Sequence, residues 1–357
     1  MGGEFGNAVR LSRWRIRLEP RYPAEAPADA PATNLTVSPT STHALETNST
    51  LDIEHVHPDL RTATQKLPVP DASKRLIRIA VRLATRAMPV PKTETVTVTT
   101  VKSGGLRMRI YNPDTRLTDG GLLWIHGGGL LFGDARQDEA LCAETARNLG
   151  IPVISANYRF APEDPFPAAH DDVHAAWQWL LRHSMELGLN PARLVVGGES
   201  AGGGLAAALV QRLHDDGQVQ PIAQWLFSPM LDDRTAADTT LDGADHWVWN
   251  NRANRVGWSG YLGDTFARHD LAPYAAAARR TDLSGLPPAF IAVGDIELFY
   301  AENLDYARRL EQAGVPVELD LVPGAPHGFE NWASDTEPAK ALMRRAHSWL
   351  RGAFATA

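Results

Sequence analysis

Cysteine is all but missing from this chain. Cys142 is the single thiol among 357 residues, so an internal disulfide is excluded and a disulfide scaffold with it. That usage fits a reducing compartment, and a cytoplasmic location is the expectation. Long apolar runs are missing too: no stretch approaches the roughly 18 consecutive apolar residues of a membrane span, and the N-terminal residues carry no apolar core of the secretory kind. Positive charge is not in excess. Lys and Arg number 35 against 42 Asp and Glu, a net charge of -7, which removes the electrostatic footprint of a nucleic-acid binder. No repeat is visible at solenoid periods. What remains is 44% apolar and 22% charged residues over a length that can bury a sizeable core, the profile of a globular enzyme.

Residues 1–45, rich in Pro, Ala, Thr and Ser, read as a flexible tail. The arginines at 10, 13, 15, 17 and 21 read as a solvated arm rather than a membrane anchor. From 46 to 90 the pattern is helical, most clearly in residues 72–83, where apolar residues recur at three- and four-residue intervals. Residues 94–99 alternate as a strand, with 106–111 as its hairpin partner across Ser103-Gly104-Gly105. Beyond lie short, nearly continuous apolar runs at 122–125, 153–155, 194–196, 225–227 and 290–293, separated by helix-like stretches. That rhythm predicts an α/β fold, a mostly parallel sheet with helices on both faces. The last run, 317–322, alternates Val317, Leu319 and Leu321 with Glu318 and Asp320 and reads as an edge strand.

Three segments carry chemistry. In Leu194-Val195-Val196-Gly197-Gly198-Glu199-Ser200-Ala201-Gly202 an apolar strand runs straight into a helix through a turn whose glycines flank a serine at minus two and plus two. So tight a turn leaves no room for larger side chains, and it exposes Ser200 as a nucleophile beside the free N–H groups of a helix N-terminus. His126-Gly127-Gly128-Gly129 follows another apolar strand; its uncovered amides can converge on one oxygen, as an oxyanion hole requires. His126 is read as a backbone organiser. In Pro323-Gly324-Ala325-Pro326-His327-Gly328 a stiff loop presents His327 as the general base. Between serine and histidine, after a strand, Asp295 and Glu297 share one turn, and either carboxylate can orient the imidazole.

The combination of His-Gly-Gly-Gly at 126–129, Asn-Tyr-Arg-Phe-Ala-Pro-Glu at 157–163, Gly-Glu-Ser-Ala-Gly at 198–202 and Pro-His-Gly-Phe at 326–329 resembles the bacterial hormone-sensitive-lipase-like esterases of the α/β-hydrolase superfamily. The resemblance covers roughly residues 50–350. It implies that Glu297, spaced from Glu302 and Tyr306-Ala307 as in the family's acid loop, is the triad acid, although Asp is commoner there. It implies an oxyanion hole of Gly127, Gly128 and Ala201, with Leu130, Phe132 and Tyr158 as substrate-pocket neighbours that core packing explains equally well. It further implies a helical cap, built from residues 46–90 and an insertion near 233–272 rich in tryptophan, on a catalytic body spanning 91–357.

The expected activity is that of a serine carboxylesterase on short- to medium-chain acyl esters, with no metal and no organic cofactor. A non-catalytic small-molecule receptor on the same scaffold is the competing class; a lipase, an amidase and an acyltransferase share the machinery. The Asp171-Asp172 and Asp232-Asp233 pairs read as helix-start and loop carboxylates. The edge strand 317–322 offers a route to a homodimer.

Overall fold

The computed structural model describes residues 49–89 and 93–356; the predicted tail lies outside them. The chain runs through β1 (Ser49–Thr50), α1 (Pro58–Lys66), α2 (Arg75–Ala87), β2 (Val96–Ser103), β3 (Leu106–Pro113), β4 (Gly121–Ile125) and α3 (Glu139–Leu149). It continues through β5 (Val153–Ala156), α4 (Ala168–His183), β6 (Leu194–Glu199), α5 (Ala201–Asp215) and β7 (Ala223–Phe227). Next come α6 (Asp233–Ala237), β8 (Ala244–Asp245), α7 (Asn251–Leu262), β9 (Ala289–Gly294), α8 (Tyr300–Gln312), β10 (Val317–Val322), α9 (Phe329–Trp332) and α10 (Glu337–Thr356).

The predicted hairpin forms, but β2 starts at Val96 because Thr95 turns the chain in the left-handed region, at φ +63°. It pairs with β3 antiparallel, from Val96 opposite Pro113 to Ser103 opposite Leu106. Those two strands are the antiparallel margin of an eight-stranded sheet in the order β10-β9-β7-β6-β4-β5-β3-β2, whose other strands pair in parallel. The mostly parallel α/β architecture expected from the apolar runs is therefore present.

The apolar runs alternate between two buried layers. Leu123, Ile125, Val196, Leu226 and Ile291 pack with Trp177 of α4, Leu209 of α5 and Tyr306 of α8. On the opposite face Trp124, Val195, Trp225, Phe227 and Phe290 pack with Leu141 of α3 and Leu342 and Leu350 of α10. The Trp124 and Trp225 rings meet edge to face at 5.6 Å, a packing that adds about 1 kcal/mol beyond the area it buries.

β10 forms one edge of the sheet, as its alternation predicts, but Asp320 does not face solvent. It is buried against α10, where Arg345 donates to both carboxylate oxygens at 2.7 and 3.0 Å. The polar half of the alternation marks a buried ion pair, not a wet face. The acidic pairs also have structural partners. Asp171 and Asp172 bind Arg212 and Arg159, each at 2.8 Å, Asp232 caps α6, and Asp233 binds Arg279 at 2.7 Å.

From β4 the chain steps to β5 on one side and then returns to β6 on the other. The carboxyl ends of β4 and β6 thus straddle the point where strand order reverses, where open α/β sheets form a crevice. His126–Gly129 leave β4 there, and Ser200 leaves β6.

Candidate active site

Ser200 sits in a backbone conformation that non-glycine residues rarely adopt, φ +55° and ψ -122°, held from both sides. Its N–H donates to Phe227 O at 2.9 Å, and its carbonyl accepts from Gly204 and Met230 at 3.0 and 2.9 Å. Gly202 is obligatory: a Cβ there would lie 2.0 Å from Ile125 O. The sharp strand-to-helix turn read from the flanking glycines is a consequence of that crowding.

His327 is reached from β10 through a braced loop. Gly324 N donates to Asp295 Oδ1 at 2.7 Å, His57 N donates to Gly324 O at 2.8 Å, and Trp332 Nε1 donates to His327 O at 2.9 Å. The Phe299 ring meets the imidazole edge to face at 5.2 Å. Held so, the imidazole bridges two groups, with Nε2 2.8 Å from Ser200 Oγ and Nδ1 2.8 Å from Glu297 Oε2. Ser200, His327 and Glu297 are 4%, 5% and 3% exposed, so the relay lies out of bulk water. Burial by itself lowers the His327 pKa, but the adjoining Glu297 charge and hydrogen bond outweigh it, with Glu199 adding to them, and hold it above the ordinary imidazole value. Of the two carboxylates in the acid turn, the structure brings Glu297 to the imidazole and gives Asp295 to the loop brace.

Opposite Ser200, Gly128 adopts φ +120°, and a Cβ there would lie 1.9 Å from Phe132 O. The loop folds back through Leu131 and Phe132 N–H groups onto Gly128 O. Among the described residues no acceptor takes the N–H of Gly127 or Gly128, and the first turn of α5 leaves Ala201 N–H without an intrahelical partner. His126 is buried beneath, its Nδ1 2.8 Å from Gly127 O and its ring stacked on Tyr158 at 4.6 Å. We expect Gly128→Ala to cost about 10²–10³-fold in kcat through displacement of this loop, with KM less affected; steady-state kinetics on p-nitrophenyl acetate measure it.

The pocket neighbours expected from the motifs separate. Leu130 and Tyr158 are buried, Leu130 lining a small cavity with Ala201, Leu205 and Met230, and Tyr158 with its hydroxyl donating to His126 O at 3.0 Å. Phe132 is half-buried, edge-on to Trp249 at 6.5 Å. The Trp249 ring lies on Gly129, whose missing side chain makes room for it, so the insertion reaches over the glycine loop. His246 of the same insertion is close enough to feel the Glu297 charge, against which burial lowers its pKa.

A second polar layer was not legible in the motifs. Asn331 Nδ2 donates to Asp138 Oδ1 at 2.6 Å and to Glu199 Oε2 at 2.9 Å, and Trp124 Nε1 donates to Asp138 Oδ2 at 2.6 Å. This ties the nucleophile turn to the helix that follows the histidine. Burial, with the Glu330 and Asp138 charges nearby, pushes the Glu199 carboxyl well up, and burial raises Glu330 to about 8. Glu302 is likewise buried and accepts from Leu231 N at 2.7 Å, pinning the start of the insertion. Among the described residues, no group of three or more His, Cys, Asp or Glu is placed to hold a metal, and no helix is long and apolar enough to cross a membrane.

Residues 122–331, from β4 to α9, match the family described by the alpha/beta hydrolase fold, a span that includes Ser200, Glu297 and His327. The chain belongs to the α/β-hydrolase family. This α/β-hydrolase is 32% identical over 248 residues to the ethyl acetate hydrolase of Pseudomonas putida, covering 68% of this chain and 77% of that one. It is 32% identical over 252 residues to esterase LipI of Mycobacterium tuberculosis, covering 70% and 78%. Among solved structures a bacterial heroin esterase superposes with a TM-score of 0.79 at 34% identity, over 85% of this chain and 99% of the other.

Proposed function

We propose that this α/β-hydrolase is a serine carboxylesterase that cleaves short- to medium-chain acyl esters through an acyl-enzyme intermediate. The observation that carries the reading is the unbroken relay from Ser200 Oγ through both nitrogens of His327 to Glu297 Oε2, two contacts of 2.8 Å. In the first half-reaction Ser200 Oγ attacks the ester carbonyl carbon while His327 Nε2 takes the hydroxyl proton. Glu297 stabilises the imidazolium, and the amides of Gly127, Gly128 and Ala201 donate to the oxyanion. Collapse of the tetrahedral adduct expels the alcohol, which leaves with the proton from His327. A water molecule then attacks the acyl carbon, gives its proton to His327, and the carboxylic acid departs as the proton returns to Ser200. No step calls on a metal or an organic cofactor.

Phe132 and Trp249 are the proposed walls of the acyl pocket, with α1, α2 and the segment from α6 to α7 as the cap. The relatives' names, an ethyl acetate hydrolase and esterases, favour small esters. The test is turnover of p-nitrophenyl esters of increasing chain length, with an organophosphonate label mapped to a residue. Turnover that peaks on short to medium chains with labelling at Ser200 is expected. Binding without turnover or labelling overturns the reading in favour of a receptor.

The pH profile follows from His327. The ring must be neutral to accept a proton, and its pKa is held above the usual ~6.5. Raising the pKa keeps the imidazolium populated to higher pH, so the acid limb of kcat/KM for the free enzyme should bend above pH ~6.5. A pH series on a substrate whose leaving group does not titrate there measures it.

A further inference from the structure

Helix α2 is turned inside out. Its sequence, Arg75-Leu76-Ile77-Arg78-Ile79-Ala80-Val81-Arg82-Leu83-Ala84-Thr85-Arg86-Ala87, is strongly amphipathic, and a soluble helix of that kind buries its apolar stripe. Here the polar side faces the protein. Arg78 is buried and donates to Ala72 O and Ser73 O at 2.8 and 3.1 Å. Arg82 donates to Leu131 O at 2.7 Å, Ala161 O at 3.0 Å and Glu163 Oε2 at 2.8 Å, and lies over the Phe160 ring. Ile77 and Val81 are half-buried, but the stripe of Leu76, Ile79 and Leu83 faces out, 79%, 37% and 60% exposed. Val69 and Met88, in the flanking segments, are exposed as well, so that α2 and its flanks hold five of the eight exposed large apolar side chains among the described residues.

The occupant of this face is constrained by size and charge. A 13-residue helix presents a stripe about 20 Å by 10 Å, roughly 200 Å², far below the ~800 Å² per partner of a stable protein interface. The helix carries four arginines and no acid. Arg75 is exposed at the edge of the stripe. Arg86 is also exposed, its nearest carboxylate oxygen, on Asp134, 3.9 Å away and already bound by Arg107. Like charge therefore opposes a symmetric second copy, whereas residues 1–48 carry five arginines and five acids, no net charge to draw them to this cationic edge. Beside the stripe, Ile79, Leu83, Arg86 and Arg107 line an open groove of about 860 Å³. Asp164 and Asp172 stand at the groove as well, Asp172 held by Arg159 at 2.8 Å. A narrow apolar stripe with cations at its edge matches a surface that needs no complementary fold: the boundary between headgroups and acyl chains of an anionic membrane.

We propose that α2 docks this protein on anionic lipid bilayers, with Leu76, Ile79 and Leu83 entering the headgroup boundary and Arg75 and Arg86 meeting lipid phosphates. The inference does not rest on the esterase reading. Its test is flotation of the full-length protein with vesicles of mixed phosphatidylcholine and phosphatidylglycerol, against phosphatidylcholine alone. Preferential capture by the anionic vesicles is expected. The double variant Leu76→Glu/Leu83→Glu should bind at least about tenfold more weakly, because it removes apolar area from the headgroup boundary and puts negative charge there. Arg75→Ala/Arg86→Ala should weaken capture more than about fivefold, since both cations at the edge of the stripe are lost. Both pairs lie on the outer face, so thermal melts should match the parent. No capture of the parent, equal capture on neutral vesicles, or undiminished capture of either double variant overturns the proposal. So does a dimeric mass by light scattering that halves in Leu76→Glu/Leu83→Glu, which assigns the face to a second copy.

Discussion

Ser200→Ala is expected to lower kcat on p-nitrophenyl acetate by about 10³-fold or more while the protein stays folded. The loss is large because the variant has no Oγ to place on the carbonyl carbon; water must attack with only the amides and bound geometry to assist. The fold survives because the bonds that fix the strained turn come from the Ser200 backbone, its N–H to Phe227 and its carbonyl to Gly204 and Met230, none of which involves the hydroxyl. A circular-dichroism melt within a few degrees of the parent, beside lost turnover and lost phosphonate labelling, is the expected set. Near-normal turnover refutes the nucleophile assignment.

The second large effect is at the acid. Glu297→Gln should cost about 10⁴-fold in kcat, because an amide in that place no longer stabilises the imidazolium and its NH₂ favours the tautomer with the proton on the wrong nitrogen. Residual activity should show its acid limb moved to lower pH, since the charge that raised the His327 pKa is gone. Asp295→Ala should cost far less, under about tenfold, because Asp295 braces Gly324 N and does not meet the imidazole. Measuring kcat and its pH dependence for both variants separates them. A dead Asp295→Ala beside an active Glu297→Gln reverses the assignment.

What was legible in the sequence was whatever close backbone packing forces into adjacent positions. The turn around Ser200 demands small residues at fixed offsets because strands β4 and β6 lie against it, so Gly202 announces the turn before any coordinates exist. The sheet was legible for a similar reason, since strands covered on both faces have no polar positions to spare. The Asn331 bridge was not legible. Its partners Asp138 and Glu199 lie 193 and 132 positions away, and nothing local requires an asparagine there. Orientation was lost as well as distance: the period of residues 72–83 gives a helix but not which side meets the protein, and the alternation in β10 gives an edge without revealing that Arg345 waits on its polar side. Tyr158 lies beneath the glycine loop for the same reason, its place set by the stacked His126 ring rather than by its neighbours in the chain.

The short parallel pairing of Ser49–Thr50 with Ala244–Asp245 carries a kinetic consequence. Its two halves are 195 positions apart (244 - 49), and a two-residue ladder has too few bonds to bring them together unaided. The central strands must find one another first, so this two-residue pairing is expected to form late in folding and to open first when the molecule loosens.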